Sequence, residues 1–530
     1  MIHGNHIIAG SRQARGDRTF TAVDPSSGRP LASVFRDATA AEIDAAMEAA
    51  ARAFQEYRLR SASAIAAFLE GIATELDSVG NEIVATAHAE TGLPLARLEN
   101  ERARMINGVR IFAQVAREGS WIGARIDRAD PARKPAPKPD VRAMLTAIGP
   151  VVVFGASNFP LAISVAGNDT MSALAAGCPV VVKAHPAHPG TSELVAEAIT
   201  RAVARSDMPA GVLSLVHGTG HEVGLALVRH PAARAVAFTG SLAGGRALFD
   251  AAARRPEPIP VYAEMGSINP VILLPGALAA RADDIAAAYV QSVTMGVGQF
   301  CTSPGLVLGV AGGDLDRFLA ATGRAAEAVP PSTMLHAGIR EAFRKGVDRL
   351  EQTPGVEVVA RSRTAVDASK TQAPCVILST TPEVLAAQPH VAEEVFGPSS
   401  AIVRCRNREQ LEQVVRGLSG HLTASIHGTA QELAEYRDLI ALLETKVGRI
   451  IFNGFGTGIE VCASIHHGGP YPATTDPHFT SIGHAGIFRF ARPVCYQNFP
   501  DQALPPALQD RNTLGIWRLV DGSVTKEDCG

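Results

Sequence analysis

Val151-Val152-Val153-Phe154-Gly155-Ala156-Ser157-Asn158-Phe159-Pro160 opens on four apolar residues and breaks at once into a turn of Gly, Ser, Asn and Pro. A run with no polar alternation is a strand covered on both faces. The same texture returns in PVVVK at 179–183, VLSLVHG at 212–218, AVAFTG at 235–240 and PVYAE at 260–264. Between these runs lie segments of helical period, at 161–176, 191–205, 221–229 and 241–254. Buried strands alternating with amphipathic helices make βαβ units, so the fold class is α/β with a parallel sheet. Such sheets take ligands at the carboxyl ends of their strands, which is where Asn158, Lys183, Gly240 and Glu264 stand.

Upstream, residues 38–118 read as helices, with Thr39 and Glu42 spaced as a capping box. ADPARKPAPKPD at 129–140 is too proline-rich for a helix and reads as an exposed excursion. Downstream, a second α/β stretch runs from Asn269 to about residue 445, with strands at 271–274 and 401–403 and a helix at 338–352. The part from Gly448 is rich in Gly, His, Thr and Pro and reads as loops and a few strands. The chain has 530 residues, a prior of roughly three to four folding units.

Composition excludes several classes. Lys plus Arg is 49 and Asp plus Glu is 52, a net charge of −3 that gives no reason to expect a nucleic acid or an anionic membrane as partner. Residues 143–168 carry no charge, but Gly149-Pro150, Asn158 and Pro160 interrupt them, so they read as strand, turn and helix rather than a membrane span. The N-terminus shows no secretory pattern. Seven unclustered cysteines point to a reducing compartment, and the location expected is cytoplasmic.

Three side chains offer acyl chemistry. Cys301 follows a glycine-containing turn in GVGQFC, where backbone amides can surround a sulfur and an oxyanion. Glu264 ends the fifth strand, and Asn158 follows the first with an amide able to donate to an oxyanion. Each alone has a plain structural reading: a buried thiol, a surface acid and a turn Asn. For phosphate, Gly240-Ser241 opens a helix after the fourth strand, with Gly244-Gly245 one turn on. Gly218-Thr219-Gly220 with Gly224 misses the dinucleotide fingerprint by one residue.

In this order the pieces resemble the aldehyde dehydrogenase superfamily from about residue 20 to 500. The matching motifs are SNFP at 157–160, VVVK at 180–183, FTGS at 238–241, AEMG at 263–266, GQFC at 298–301, EEVFGP at 393–398 and FNGFGTG at 452–458. The resemblance implies Cys301 as nucleophile, Glu264 of raised pKa as the base for deacylation, and Asn158 with the Cys301 N–H as oxyanion hole. It implies Lys183 and Glu394 on the ribose hydroxyls, Phe396 near the nicotinamide ribose, and Gly240 and Ser241 at the pyrophosphate. It also implies an NAD(P)-binding domain at 1–118 and 141–263, a catalytic domain at 264–447, and an oligomerisation part at 119–140 and 448–530. Strands near 486–500 would join subunits into a homodimer or homotetramer.

Two departures refine the reading. Pro186 stands where many relatives carry the Glu that grips the adenosine ribose, so a 2′-phosphate is not repelled. With Arg246 nearby to pair with that phosphate, NADP is expected to be preferred over NAD. GSINP at 266–270, KAHPAHPGTS at 183–192 and RPVCYQNFP at 492–500 resemble a narrower branch. That branch holds 2-oxoglutarate semialdehyde (2,5-dioxopentanoate) dehydrogenases and an NADP-linked long-chain aldehyde dehydrogenase. The first match is the closer, so a 2-oxo acid aldehyde is the expected substrate and a medium or long aliphatic aldehyde the alternative. Arg102, Arg104, Arg110 and Arg449 are candidates for the substrate carboxylate. A non-redox thiol acyltransferase or esterase is the competing class, against which the phosphate-binding features count. Cys462 with His466-His467 has no further spaced ligands, and no metal is expected.

Overall fold

The structure, a computed structural model, describes residues 2–529. Its first sheet orders its strands as Val261–Glu264, Ala235–Thr239, Val151–Phe154, Val180–Lys183 and Leu213–Val216, all parallel. Two antiparallel strands, His6–Ile8 and Ser11–Gln13, extend that sheet at its far edge. The chain runs outward from Val151–Phe154 through two strands, then returns to its other side at Ala235–Thr239. A parallel sheet opens a crevice at such a reversal of direction. Gly155–Asn158 and Gly240-Ser241 both leave their strands there.

The helical region resolves into Ala40–Tyr57, Ala62–Ser78, Gly80–Thr91 and Leu95–Glu118. Thr39 and Glu42 form the full capping box. The intervening sheet helices are shorter than their periodicity in one place: 161–167 is a turn, and the helix begins at Asn168. Glu101 accepts from Leu161 N–H and Ala162 N–H at 2.9 and 3.0 Å, which substitutes for the helical ladder there.

The second sheet orders Glu357–Arg361, Val376–Thr380, Ser399–Cys405, Leu306–Val310, Val271–Leu273, His421–His427 and Val447–Phe452. The third orders Ala491–Gln497, Val141–Ala147, Arg125–Asp127, Arg518–Val520 and Ser523–Thr525. Two expected boundaries therefore move. Residues 141–147 pair with Ala491–Gln497, not with the first sheet; the Gly149-Pro150 break separates them from Val151. Val447–Phe452 closes the second sheet, because its register with His421–His427 continues the parallel ladder past residue 447. Among the described residues no helix is long and apolar enough to cross a membrane.

Candidate active site

The thiol sits on a turn that only a particular backbone allows. Gly296, Val297 and Gly298 all have left-handed φ, at 56°, 59° and 65°. A Cβ on Gly298 would lie 2.2 Å from the carbonyl carbon of Gly397, so glycine is required by both conformation and space. The turn is fixed from below by Asn269, whose Nδ2 donates to the carbonyls of Cys301 and Ser303, both at 2.9 Å. Thr423 N–H and Oγ1–H in turn donate to Asn269 Oδ1.

Glu264 ends its strand beside a segment from the far end of the chain. Met265 N–H donates to Ala473 C=O at 2.7 Å, and Glu264 bridges Thr474 in antiparallel register. That pairing brings His467 between two partners. Its Nδ1 lies 2.7 Å from Glu264 Oε2, and its Nε2 lies 3.5 Å from Cys301 Sγ. Ser481 Oγ–H donates to the same Glu264 oxygen at 2.6 Å. Cys301, His467 and Glu264 thus form a thiol–imidazole–carboxylate chain, with His467 and Glu264 buried and Cys301 half-buried.

The electrostatics follow from this chain. Burial pushes Glu264 up, but His467 and the hydrogen bonds of His467 and Ser481 win and hold it below its ordinary value. This is opposite to the raised carboxyl expected from the sequence, and the cause is the imidazole that the sequence reading left out. Burial alone depresses His467; Glu264 and the thiol overcome it and raise the imidazole well above its ordinary value. The Cys301 thiol is raised, chiefly by burial, with His467 pulling the other way.

Asn158 is buried beside the thiol, and its Nδ2 donates to Gln299 C=O at 3.0 Å. The amide is thereby oriented across the turn that carries Cys301.

A cavity of about 930 Å³ runs from Cys301 and Glu264 to the carboxyl ends of the first sheet. Lys183, Pro186, Gly240, Ser241, Glu394 and Phe396 all line it. Lys183 is buried, makes no ion pair among the described residues, and burial pulls its pKa down to about 8. An unpaired ammonium in a wall of this size fits a polar ligand such as a dinucleotide's hydroxyls. Ser241 caps the helix Leu242–Ala253, its Oγ accepting from Gly244 N–H at 3.2 Å, and the first turn of that helix lines the cavity with Ser241, Ala243 and Gly244. Arg246 does not line the cavity. It pairs with Asp250 one turn on, at 3.0 Å, and lies over the Phe249 ring, because the cavity face of its helix is taken by Ala243, Gly244, Ala247 and Leu248.

Of the proposed carboxylate cations, Arg102 is 4.0 Å from Asp77, and Arg110 is exposed on its helix. Arg104 is exposed too. Arg449 is half-buried, donates to Gly456 C=O at 2.7 Å, and its charge reaches Cys301. His466 packs against Gly448 and away from the thiol, and Cys462 is exposed, so the Cys462–His466–His467 grouping does not converge. His467 was legible only as half of a His pair. Its partners are 166 and 203 residues away, and no local pattern marks it.

Residues 12–469 match the aldehyde dehydrogenase family. The chain is 51% identical to alpha-ketoglutaric semialdehyde dehydrogenase 2 of Azospirillum brasilense, over 98% of each chain. It is 43% identical to the alpha-ketoglutaric semialdehyde dehydrogenase of Acinetobacter baylyi, over 99% of each. In fold it resembles a putative aldehyde dehydrogenase from Burkholderia cenocepacia, with a TM-score of 0.79 at 24% identity, covering 93% of this chain and 99% of that one. An aldehyde dehydrogenase of Pseudomonas syringae, solved with NAD+ and octanal, gives 0.80 at 19% identity, covering 95% and 98%.

Proposed function

Because this chain belongs to the aldehyde dehydrogenase family, we propose that it oxidises 2,5-dioxopentanoate to 2-oxoglutarate with NADP preferred over NAD. The observation that carries the chemistry is a Cys301 sulfur in contact with a His467–Glu264 pair, at the floor of a dinucleotide-sized cavity. The names of the two relatives at 51% and 43% identity support the substrate.

The residues divide the work as follows. Glu264, at Nδ1, holds His467 as an imidazolium, whose Nε2–H faces Cys301 Sγ and stabilises the thiolate once the thiol proton has left to solvent. The thiolate adds to the aldehyde carbon, and the oxyanion is held by Asn158 Nδ2–H and the Cys301 N–H. NAD(P), when bound, supplies the hydride acceptor for that carbon. A thioester on Cys301 is left, and water attacks it. In the thioester the thiolate charge that helped raise His467 is gone, so the imidazolium first gives its proton to solvent and the His467–Glu264 pair then takes the proton of the attacking water, Glu264 alone being held too low to keep it well near neutrality. Lys183 and Glu394 hold ribose hydroxyls, the N–H groups behind Gly240 and Ser241 hold the pyrophosphate, and Phe396 packs at the nicotinamide end. Lys183 and Glu394 serve no purpose in a plain thiol hydrolase, which is why the redox reading is favoured over an acyltransferase or esterase.

The NADP preference rests on Pro186 and Lys183 rather than on Arg246. Glu264 and Glu394 are the only acids that line the cavity among the described residues. Asp37, whose charge reaches Lys183, is already engaged by Thr219 N–H at 2.8 Å and by Arg18 at 3.4 Å. A 2′-phosphate beside Lys183 therefore meets no free carboxylate. The chain is also read as at least a homodimer, through the third sheet.

The test is a set of initial rates of NADPH and NADH formation with 2,5-dioxopentanoate, glutarate semialdehyde, hexanal and decanal. A kcat/KM for 2,5-dioxopentanoate at least tenfold above the others, and higher with NADP, is the expected result. A higher value for decanal replaces the substrate with a long aliphatic aldehyde and leaves the mechanism standing.

A further inference from the structure

Resting on the 2-oxo acid substrate proposed above, we infer that Arg97 is the residue that holds the substrate's carboxylate. The helix Leu95–Glu118 carries Arg97, Glu101 and Arg104 at intervals of four and three, one face of the helix. That face abuts the Asn158–Ala162 turn. Glu101 Oε1 accepts from Leu161 and Ala162 N–H, while Arg97 Nη2 donates to Asn158 C=O at 2.7 Å. The guanidinium then lies between two aromatic rings, 5.2 Å from the centre of Phe159 and 5.0 Å from that of Phe300. Phe159 follows the Asn of the oxyanion site, and Phe300 precedes the nucleophile. The two rings meet edge to face at 5.2 Å. Neither lines the cofactor cavity, although Asn158 and Cys301 do, so Arg97 flanks the thiol on another side from the dinucleotide.

The group is half-buried and carries five N–H donors, of which one hydrogen bond uses Nη2. It forms no ion pair within 4 Å among the described residues; burial lowers its pKa, the Glu101 carboxylate one turn on works the other way, and Arg104 adds to the lowering. A half-buried guanidinium that makes one hydrogen bond and no close ion pair has donors to spare, and a planar carboxylate matches its fork. Four C–C bonds separate the aldehyde carbon of 2,5-dioxopentanoate from its carboxylate carbon, roughly 5 Å when extended. Arg449, the cation expected from the sequence, has Nη2 on Gly456 and lies on the Thr302 side of the thiol.

The experiment compares 2,5-dioxopentanoate with pentanal, a five-carbon aldehyde without the carboxylate, in wild type, Arg97→Leu, Arg97→Lys and Arg449→Leu. The wild-type ratio of the two kcat/KM values is expected to fall at least 30-fold in Arg97→Leu, mainly through KM for the anionic aldehyde. Arg97→Lys should recover part of it. Protection of Cys301 from iodoacetamide by glutarate is the second readout. Glutarate should protect wild type and fail in Arg97→Leu, whether or not that variant turns over. An unchanged ratio in Arg97→Leu, or a fall confined to Arg449→Leu, overturns the assignment and leaves the substrate standing. A wild-type enzyme that does not favour the anionic aldehyde over pentanal overturns the substrate and this inference together.

Discussion

Cys301 is held by burial above its ordinary pKa, while His467 at 3.5 Å works to bring it down. Alkylation by iodoacetamide is therefore expected to accelerate with pH, with a midpoint above that of an ordinary thiol. In His467→Gln the midpoint should rise further, and kcat should drop at least about a hundredfold, the usual size of a lost general base. A wild-type midpoint near 7 would contradict the burial argument. Glu264→Gln leaves His467 without the charge that raises it. Acylation should still proceed, with a burst near one equivalent of reduced cofactor per chain followed by slow turnover, seen by stopped flow. Loss of cofactor binding without a burst would contradict that role. The pair also contributes stability with definite limits. Glu264 is lowered, so its share is lost as pH falls through its depressed value; His467 is raised, so its share persists upward and is lost near pH 10. At this scale the sequence exposed Cys301, Glu264 and Asn158, because each ends or follows a strongly patterned segment. It hid His467, whose placement depends on a pairing between Glu264 and Thr474 across 210 residues of chain.

The turn Met295–Gly298 is the element on which the thiol depends. Its three left-handed residues are secured by Asn269 below and by Gly397 alongside. Gly298→Ala asks for a Cβ at 2.2 Å from a carbonyl carbon, at a φ that costs an alanine about 1–2 kcal/mol even in open space. The variant is expected to lose more than about 2 kcal/mol in urea unfolding and most of its activity, since the turn must shift. A variant with wild-type midpoint and rate would show that the turn yields freely. The strands and helices of the first sheet were legible because apolar runs and helical periods are local signals. The helix start at Asn168 was not, because Glu101 from another helix replaces the missing ladder at Leu161 and Ala162. Arg246 failed for a similar reason. Sequence distance put it near the phosphate helix, but its rotation about that helix sends it to Asp250.

At the scale of the whole molecule, two long strands end their sheets with no outer partner among the described residues: Val447–Phe452 in the second sheet and Ala491–Gln497 in the third. Unpaired edges of six and seven residues are templates for another chain unless something covers them. Large apolar side chains stand exposed beside them, Phe452 at 45% and Phe499 at 48%. The resemblance drawn from the sequence put subunit contacts at 486–500, but only the sheet order reveals that residues 141–147 form the rail on which that edge rests. Light scattering on the purified protein is expected to give a mass of at least two chains of 55.4 kDa. Phe452→Asp with Phe499→Asp should shift that mass toward one chain. Both side chains are exposed in the single chain, so the double variant should change the monomer's own stability by no more than about 1 kcal/mol. A circular dichroism melt taken beside the light scattering separates the two effects. A wild-type protein that runs as a single chain, or a double variant that stays assembled at the same concentration, would remove these two edges as the contact.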